Sequence, residues 1–347
     1  MMTGFINSRP RNFRVRSLRK SLPTNFCQQV EKYPSMSYRF SVVITTYNRL
    51  EWLKKALASV LAQTIACDVV VVDDASNDGT AAYMENIQRQ WGDRLIYYCQ
   101  PRNLGHAAAV NQGVNLATGS WIKLLDDDDY LAPDCLQEID RAISQHPQAV
   151  ICSVQAHQVT DQREHLSCTR PVGPGSTVYI AQADIHYGML LEMVPFGTPV
   201  QVAFSKDAFR RSQGWDSQFD TNYDDIDSWL KIAQFGDAIF INKPLAYRTV
   251  WPGGLNQRFS FQERLRINTA IKDKIYNLVH PSHRLPARRD VHRYLQLHWG
   301  LVALRNRQVT VAWSMLRSAV FSLGAWQLLL ARKFSKRSRI YQILSHA

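Results

Sequence analysis

Trp121-Ile122-Lys123-Leu124-Leu125-Asp126-Asp127-Asp128-Asp129 is the stretch whose reading decides the fold. The short apolar run Trp121–Leu125 predicts a buried strand, and four consecutive carboxylates close its C-terminal end. Like charges at that density repel, and a bound cation is the simplest reason to gather them. Hard divalent ions such as Mg2+ or Mn2+ take carboxylate oxygens together with the phosphates of a substrate. Open α/β sheets bind ligands at the C-terminal ends of their strands. A position directly behind a strand therefore favours a site over a solvated acidic turn.

Upstream, the β-branched run Phe40–Thr45 reads as a first strand, broken by Thr46-Tyr47-Asn48-Arg49. Leu53, Ala56, Leu57, Val60 and Leu61 share one face of a helix expected over Leu50–Gln63. Val69–Val72 is a second strand, followed by the turn residues Asp73 to Thr80 and a helix ending near Trp91. A third strand is expected over Leu95–Cys99, and a helix from Gly105 to about Ala117. Strand and helix alternate, which predicts an α/β protein with a parallel, doubly wound sheet.

The charge is unevenly spread along the 347 residues. Residues 1–39 carry a net charge of +7, residues 40–250 carry −9, and residues 251–347 carry +14. Basic flanks around an acidic body are not the pattern of a nucleic-acid enzyme, so no nucleic acid is expected as a partner. They suit a protein whose basic ends touch an anionic membrane surface while its centre binds metal. The six cysteines are scattered without metal-ligand spacing, and a reduced cytoplasmic compartment is the expectation. The Arg-rich N-terminal segment lacks the continuous apolar core of a secretory signal and reads as a disordered or surface-bound basic arm.

Four motifs in order, Ser41-Val42-Val43-Ile44-Thr45-Thr46-Tyr47-Asn48-Arg49, Val70 to Thr80, Asn103-Leu104-Gly105 and Leu125 to Asp129, resemble the family-2 glycosyltransferases of GT-A fold. The resemblance covers roughly residues 40–250. It implies a Rossmann-like GT-A domain over that span, between the N-terminal arm (1–39) and a basic helical C-terminal region (251–347). It also implies a nucleotide-sugar donor, with a UDP-sugar expected, and a glycan or lipid-linked acceptor. Thr45 and Tyr47 would line the base pocket, Tyr47 offering a face for stacking, and Asp74 would accept a hydrogen bond from the base. The family's Asp-x-Asp pattern falls on Asp126 and Asp128. Asp128 would hold Mn2+ or Mg2+, and Asp126 or Asp127 would meet the ribose or a metal-bound water.

Further on, Phe204 to Phe209, Gly214-Trp215-Asp216 and Asn222 to Ile232 follow the family's order. The acidic pair is Asp224-Asp225 where the family usually has Glu-Asp, and Asp225 would be the general base for the acceptor hydroxyl. Where relatives often carry a histidine, the chain reads Thr249-Val250-Trp251. Gln257-Arg258-Phe259 does not make the Gln-x-x-Arg-Trp signature of processive relatives, so transfer of a single sugar, with inversion, is implied. His106 reads as a surface or capping residue.

Two other classes compete with this reading. A sugar-nucleotide-binding protein without catalysis is disfavoured by the intact acidic run and Asp225. An NAD-dependent oxidoreductase is disfavoured because no Gly-x-Gly-x-x-Gly follows the first strand. Beyond residue 250, helices are expected over Gln262–Leu278, Arg293–Leu304 and Val309–Ala331. The last is about long enough to span a bilayer but contains Arg317 and Gln327, so packing on the domain or lying at an interface is preferred. The basic cluster Arg332–Arg339 suits anionic lipid and places the protein peripherally on the cytosolic face of a membrane.

Overall fold

The computed structural model describes residues 39–216, 223–251, 259–331, 340 and 342–343. Residues 1–38 of the N-terminal arm, the segment Pro252–Arg258 and the Arg332–Arg339 cluster lie outside the described residues.

Strands β1 (Phe40–Thr46), β2 (Asp68–Asp73), β3 (Leu95–Cys99) and β4 (Trp121–Asp126) form a parallel block in the order β4-β1-β2-β3. Every residue of β1 and β2 is buried. Their side chains alternate between two cores. Val43, Val70, Val72, Ile122 and Leu124 enter one. Val42, Ile44, Val69, Val71, Trp121 and Leu125 enter the other. A strand buried on both faces has no polar side to show, which is why these segments are almost unbroken apolar runs. Helices α1 (Leu50–Leu61), α2 (Thr80–Trp91) and α3 (His106–Leu116) follow the first three strands. Gly113 lets α3 lie close on the sheet: a Cβ there would stand 2.3 Å from Val43 Cγ1.

After β4 the simple alternation ends. The chain makes the short β5 (Tyr130–Leu131), helix α4 (Cys135–Gln145), β6 (Ala149–Val159), β7 (His165–Cys168) and β8 (Thr177–Ile180). Helix α5 (Gln182–Leu190), β9 (Val202–Ser205), α6 (Lys206–Arg211), α7 (Asp224–Ile232) and β10 (Asp237–Thr249) come next. Strand β9 lies antiparallel between β4 and β6, while β10 runs parallel to β6. The two halves thus form one continuous sheet, closed at its far edge by β8 and β11 (Gln342–Ile343).

Beyond residue 250, α8 (Phe261–Leu278) and α9 (Arg288–Arg305) appear close to their expected bounds. Ile271, Ile275 and Val291 join the main core, so these helices are packed against it. The single helix expected over Val309–Ala331 is corrected to two, α10 (Val309–Leu316) and α11 (Leu323–Ala331). The break is made by Ser322, whose hydroxyl accepts from Ala325 N and donates to Asp290. A capping serine restarts the helix at an angle that lets Ala319 and Ala325 pack with Tyr294, Leu295 and Leu297 of α9. Among the described residues, no helix is long and apolar enough to cross a membrane.

Candidate active site

The register of the parallel block brings Thr45 beside Asp126, and Thr46 beside Asp73, at one edge of the sheet. Above that edge lies a cleft of about 520 Å3. Thr45, Tyr47, Asp74, Asp126, Asp127, Asp128 and Asp225, the residues singled out in the sequence, all line it. Seven carboxylates face two guanidiniums and one imidazole around this space, so its walls carry an excess of negative charge.

The loops after β1 and β2 are stitched together. Asn48 N–H donates to Ser76 Oγ, Asn77 N–H to Asn48 Oδ1, and Leu50 N–H to Asp78 Oδ2, each at 2.8 Å. Asp73 closes its own turn, accepting from Ser76 N–H and from the Tyr97 hydroxyl. Asp74 accepts from Leu104 N–H (2.7 Å), Gln100 Nε2 (2.8 Å) and Gly105 N–H (2.9 Å), and so holds the Asn103–Gly105 loop. Gly105 has φ +89°, a conformation that side-chain-bearing residues rarely adopt, and it turns its N–H toward that carboxylate. A carboxylate has about four acceptor sites, so Asp74 keeps room for one more donor. Tyr47 leaves its ring 46% exposed.

The acidic run divides by partner. The Asp127 side chain is only 4% exposed, accepting from Thr46 Oγ1 at 2.8 Å and Arg49 Nη1 at 3.0 Å. Burial, reinforced by Asp128, pushes its carboxyl up to about 7 despite those bonds. Asp129 is buried and accepts from Thr249 N–H at 2.8 Å. Burial and the charges of Asp128 and Asp126 hold its pKa well above the usual carboxylate range. Asp126 and Asp128, by contrast, are 31% and 18% exposed and look into the cleft. Asp126 and Asp128, the two positions on which the Asp-x-Asp pattern falls, are thus the more exposed pair of the run.

Asp128 accepts at one oxygen from Trp251 Nε1 (2.9 Å) and from Arg49 Nη1 (3.4 Å). Burial and the charge of Asp126 raise its pKa. Two facing carboxylates that repel one another, with hard oxygen donors, fit a divalent cation. Among the described residues no three side chains form a metal cage.

Across the cleft stands α7. Its preceding residue, Tyr223, has φ +69°, a strained conformation for a tyrosine, with its hydroxyl bonded to Asn268 Nδ2 at 2.8 Å. Asp225 Oδ1 accepts from Ile226 N–H at 2.7 Å, and its other oxygen has no hydrogen-bond partner among the described residues. Burial, then the neighbouring Asp224, pushes the Asp225 carboxyl up to about 7.

Two residues without a role on sequence grounds, His106 and Arg248, are brought to this cleft by the fold. His106 sits between Asp126 (Nε2 to Oδ1, 3.2 Å) and Asp224 (Nδ1 to Oδ2, 3.2 Å). Burial opposes its charge, but the two carboxylates outweigh burial and hold its pKa well above the ordinary value. The doubly protonated ring satisfies both bonds. Arg248 lines the cleft with no hydrogen bond or ion pair among the described residues. Nothing local marks either residue: His106 meets Asp126 20 positions downstream and Asp224 118 positions downstream, and Arg248 reaches the cleft at the end of β10.

The family model for glycosyl transferase family 2 matches residues 41–212. The chain belongs to glycosyl transferase family 2. Within that family it is similar to the succinoglycan biosynthesis protein ExoO of Rhizobium meliloti, at 36% identity over 33% of this chain and 31% of that protein. The alignments span about a quarter to a third of the length of the curated relatives. Among solved structures it resembles S. aureus TarS 1–349, with a TM-score of 0.55, 17% identity, and coverage of 86% of this chain and 80% of that one. It also resembles the mannosyltransferase PcManGT from Pyrobaculum calidifontis in complex with GDP-Man and Mn2+. There the TM-score is 0.54 at 20% identity, covering 90% and 86% of the two chains. At such identities the likeness establishes the fold, which is GT-A.

Proposed function

We propose that this family-2 glycosyltransferase transfers a single sugar from a nucleotide-sugar donor, a UDP-sugar, to a glycan or lipid-linked acceptor with inversion at the anomeric carbon. Its setting would be cell-surface polysaccharide or glycolipid synthesis, as its similarity to the succinoglycan biosynthesis protein ExoO suggests. Residues 40–250 would be the catalytic part and 251–347 a basic helical extension. The observation that carries the reading is the pairing of two cleft-facing carboxylates, Asp126 and Asp128, with a third, Asp225, on the opposite wall.

In this reading Thr45 and Tyr47 hold the base, Tyr47 by stacking, with Asp74 accepting from a ring N–H at its remaining site. Asp126 and Asp128 would hold Mn2+ or Mg2+, which when bound offsets the charge of the diphosphate. Asp127 acts indirectly, fixing Thr46 and Arg49. The open oxygen of Asp225 takes the proton of the acceptor hydroxyl as its oxygen bonds to the anomeric carbon. The bond to the diphosphate breaks on the far side, and the nucleoside diphosphate leaves with the electron pair. His106 and Arg248 supply positive charge at the same cleft.

The basic ends would hold the protein peripherally on the cytosolic face of a membrane through anionic lipid. A panel of nucleotide sugars, titrated by calorimetry with and without Mn2+, tests the donor. Metal-dependent binding of one sugar nucleotide and its turnover are expected. Binding of NADH alone, or donor binding with no turnover on any acceptor, would overturn the reading.

A further inference from the structure

The last acid in the chain is Asp290, and it is turned inward to the Ser322 hydroxyl. Residues 291–347 hold nine Lys and Arg and no Asp or Glu. Within that segment α10 and α11 fold onto α9 through small and apolar residues. Ala303, Ala312, Ala319 and Ala325 are buried there, and a Cβ on Gly300 would meet Leu316 at 2.7 Å. The inner faces are therefore fully used. Helices of this kind ordinarily present polar side chains outward. Here, beside Gln308, Thr310, Ser314, Ser318 and Gln327, large apolar side chains also face outward: Phe321, in the turn between α10 and α11, is 93% exposed, Leu323 73% and Trp313 69%, with Val309 and Leu304 also exposed. Arg305, Arg307 and Arg317 are exposed among them.

We propose that this three-helix cluster docks on an anionic lipid bilayer, with Trp313, Phe321 and Leu323 inserted below the headgroups and Arg305, Arg307 and Arg317 on the lipid phosphates. Exposed apolar side chains interspersed with arginines, in a segment (291–347) without an Asp or Glu, match a surface that is anionic outside and hydrocarbon within. A tryptophan beside arginines is suited to that boundary, its ring being apolar with one polar edge. The inference rests on the peripheral-membrane reading above and adds an apolar anchor that salt does not screen.

The test uses the full chain with vesicles of phosphatidylcholine alone or mixed with phosphatidylglycerol, at low and high salt. The comparison is with Phe321→Ser/Leu323→Ser, two exposed positions whose change leaves the core intact. Sedimentation with the anionic vesicles at low salt is expected, with a bound fraction persisting at high salt. The double variant should lose that salt-resistant partitioning by roughly tenfold or more, with an unchanged melting temperature. Complete release of the intact chain by salt, or equal binding of the variant, overturns the apolar anchor while leaving electrostatic attachment standing. No binding to anionic vesicles at low salt overturns both. If light scattering shows that the variant only turns a dimer into a monomer, with vesicle binding unaltered, the face belongs to a second copy of the chain.

Discussion

The Trp251 indole N–H donates to Asp128 Oδ2 across 2.9 Å, joining residues 123 positions apart. Arg49 approaches the same oxygen and also lies over the Trp251 ring, 5.1 Å from its centroid. Where relatives often carry a histidine, this chain thus supplies a hydrogen-bond donor that steers a carboxylate. Trp251→Phe keeps the ring and removes the donor. It should weaken metal-dependent donor binding by roughly tenfold. Unchanged affinity by calorimetry would mean that the indole does not orient Asp128.

Asp128→Ala should abolish Mn2+- or Mg2+-dependent donor binding while circular dichroism shows a folded protein. Asp127→Asn should be milder, because Asp127 meets Thr46 and Arg49 rather than the open cleft. Equal losses at the two positions would contradict the division of the acidic run.

Asp225→Asn should leave donor affinity intact and lower turnover roughly 10²–10⁴-fold. A base must be ionised to accept a proton, and burial beside Asp224 places this carboxyl at about 7. The wild-type kcat/KM should therefore rise with pH up to about 7 and level off above it, and the variant should lack that limb. Product NMR showing retention at the anomeric carbon would rule out the single-base mechanism.

His106→Ala removes the cation between Asp126 and Asp224, leaving two carboxylates across the cleft without their shared partner. Turnover should fall by roughly 10²-fold while circular dichroism still shows a folded protein. A steady-state assay at saturating donor and metal reads this directly, and wild-type turnover would remove His106 from the site.

Lys123 is fully buried in β4, donating to the carbonyls of Leu124, Pro199, Val200 and Val202. Lys123→Met keeps the bulk but leaves those carbonyls unpaired, and should cost about 2–4 kcal/mol in chemical unfolding. Burial lowers the lysine's pKa from 10.5 to about 8. Between those values the unfolded chain holds a proton that the folded chain has released, so this lysine's contribution to stability rises with pH. The gap between wild type and variant should widen from pH 8 to pH 10. A gap independent of pH would mean that Lys123 does not titrate in this window.

Phe40–Thr46, Asp68–Asp73 and Trp121–Asp126 were legible in the sequence because strands buried on both faces carry no polar side to obscure them. Position was legible as well, since the ends of parallel strands gather at one edge and bring their loops with them. The division of Asp126 to Asp129 was different. It depends on Thr46, Thr249 and Trp251, about 80 to 120 residues away, so four identical side chains acquired two kinds of environment only on folding. His106 looked ordinary for the same reason, its decisive partner Asp224 lying 118 positions downstream. The apolar periodicity of Val309–Ala331 suggested one helix, and only Ser322, bonded to Asp290 of α9, divided it. Over residues 40–126, local pattern determined which segments are strands, helices and loops. Long-range hydrogen bonding and burial decided which of their side chains face the cleft and which are spent holding it in shape.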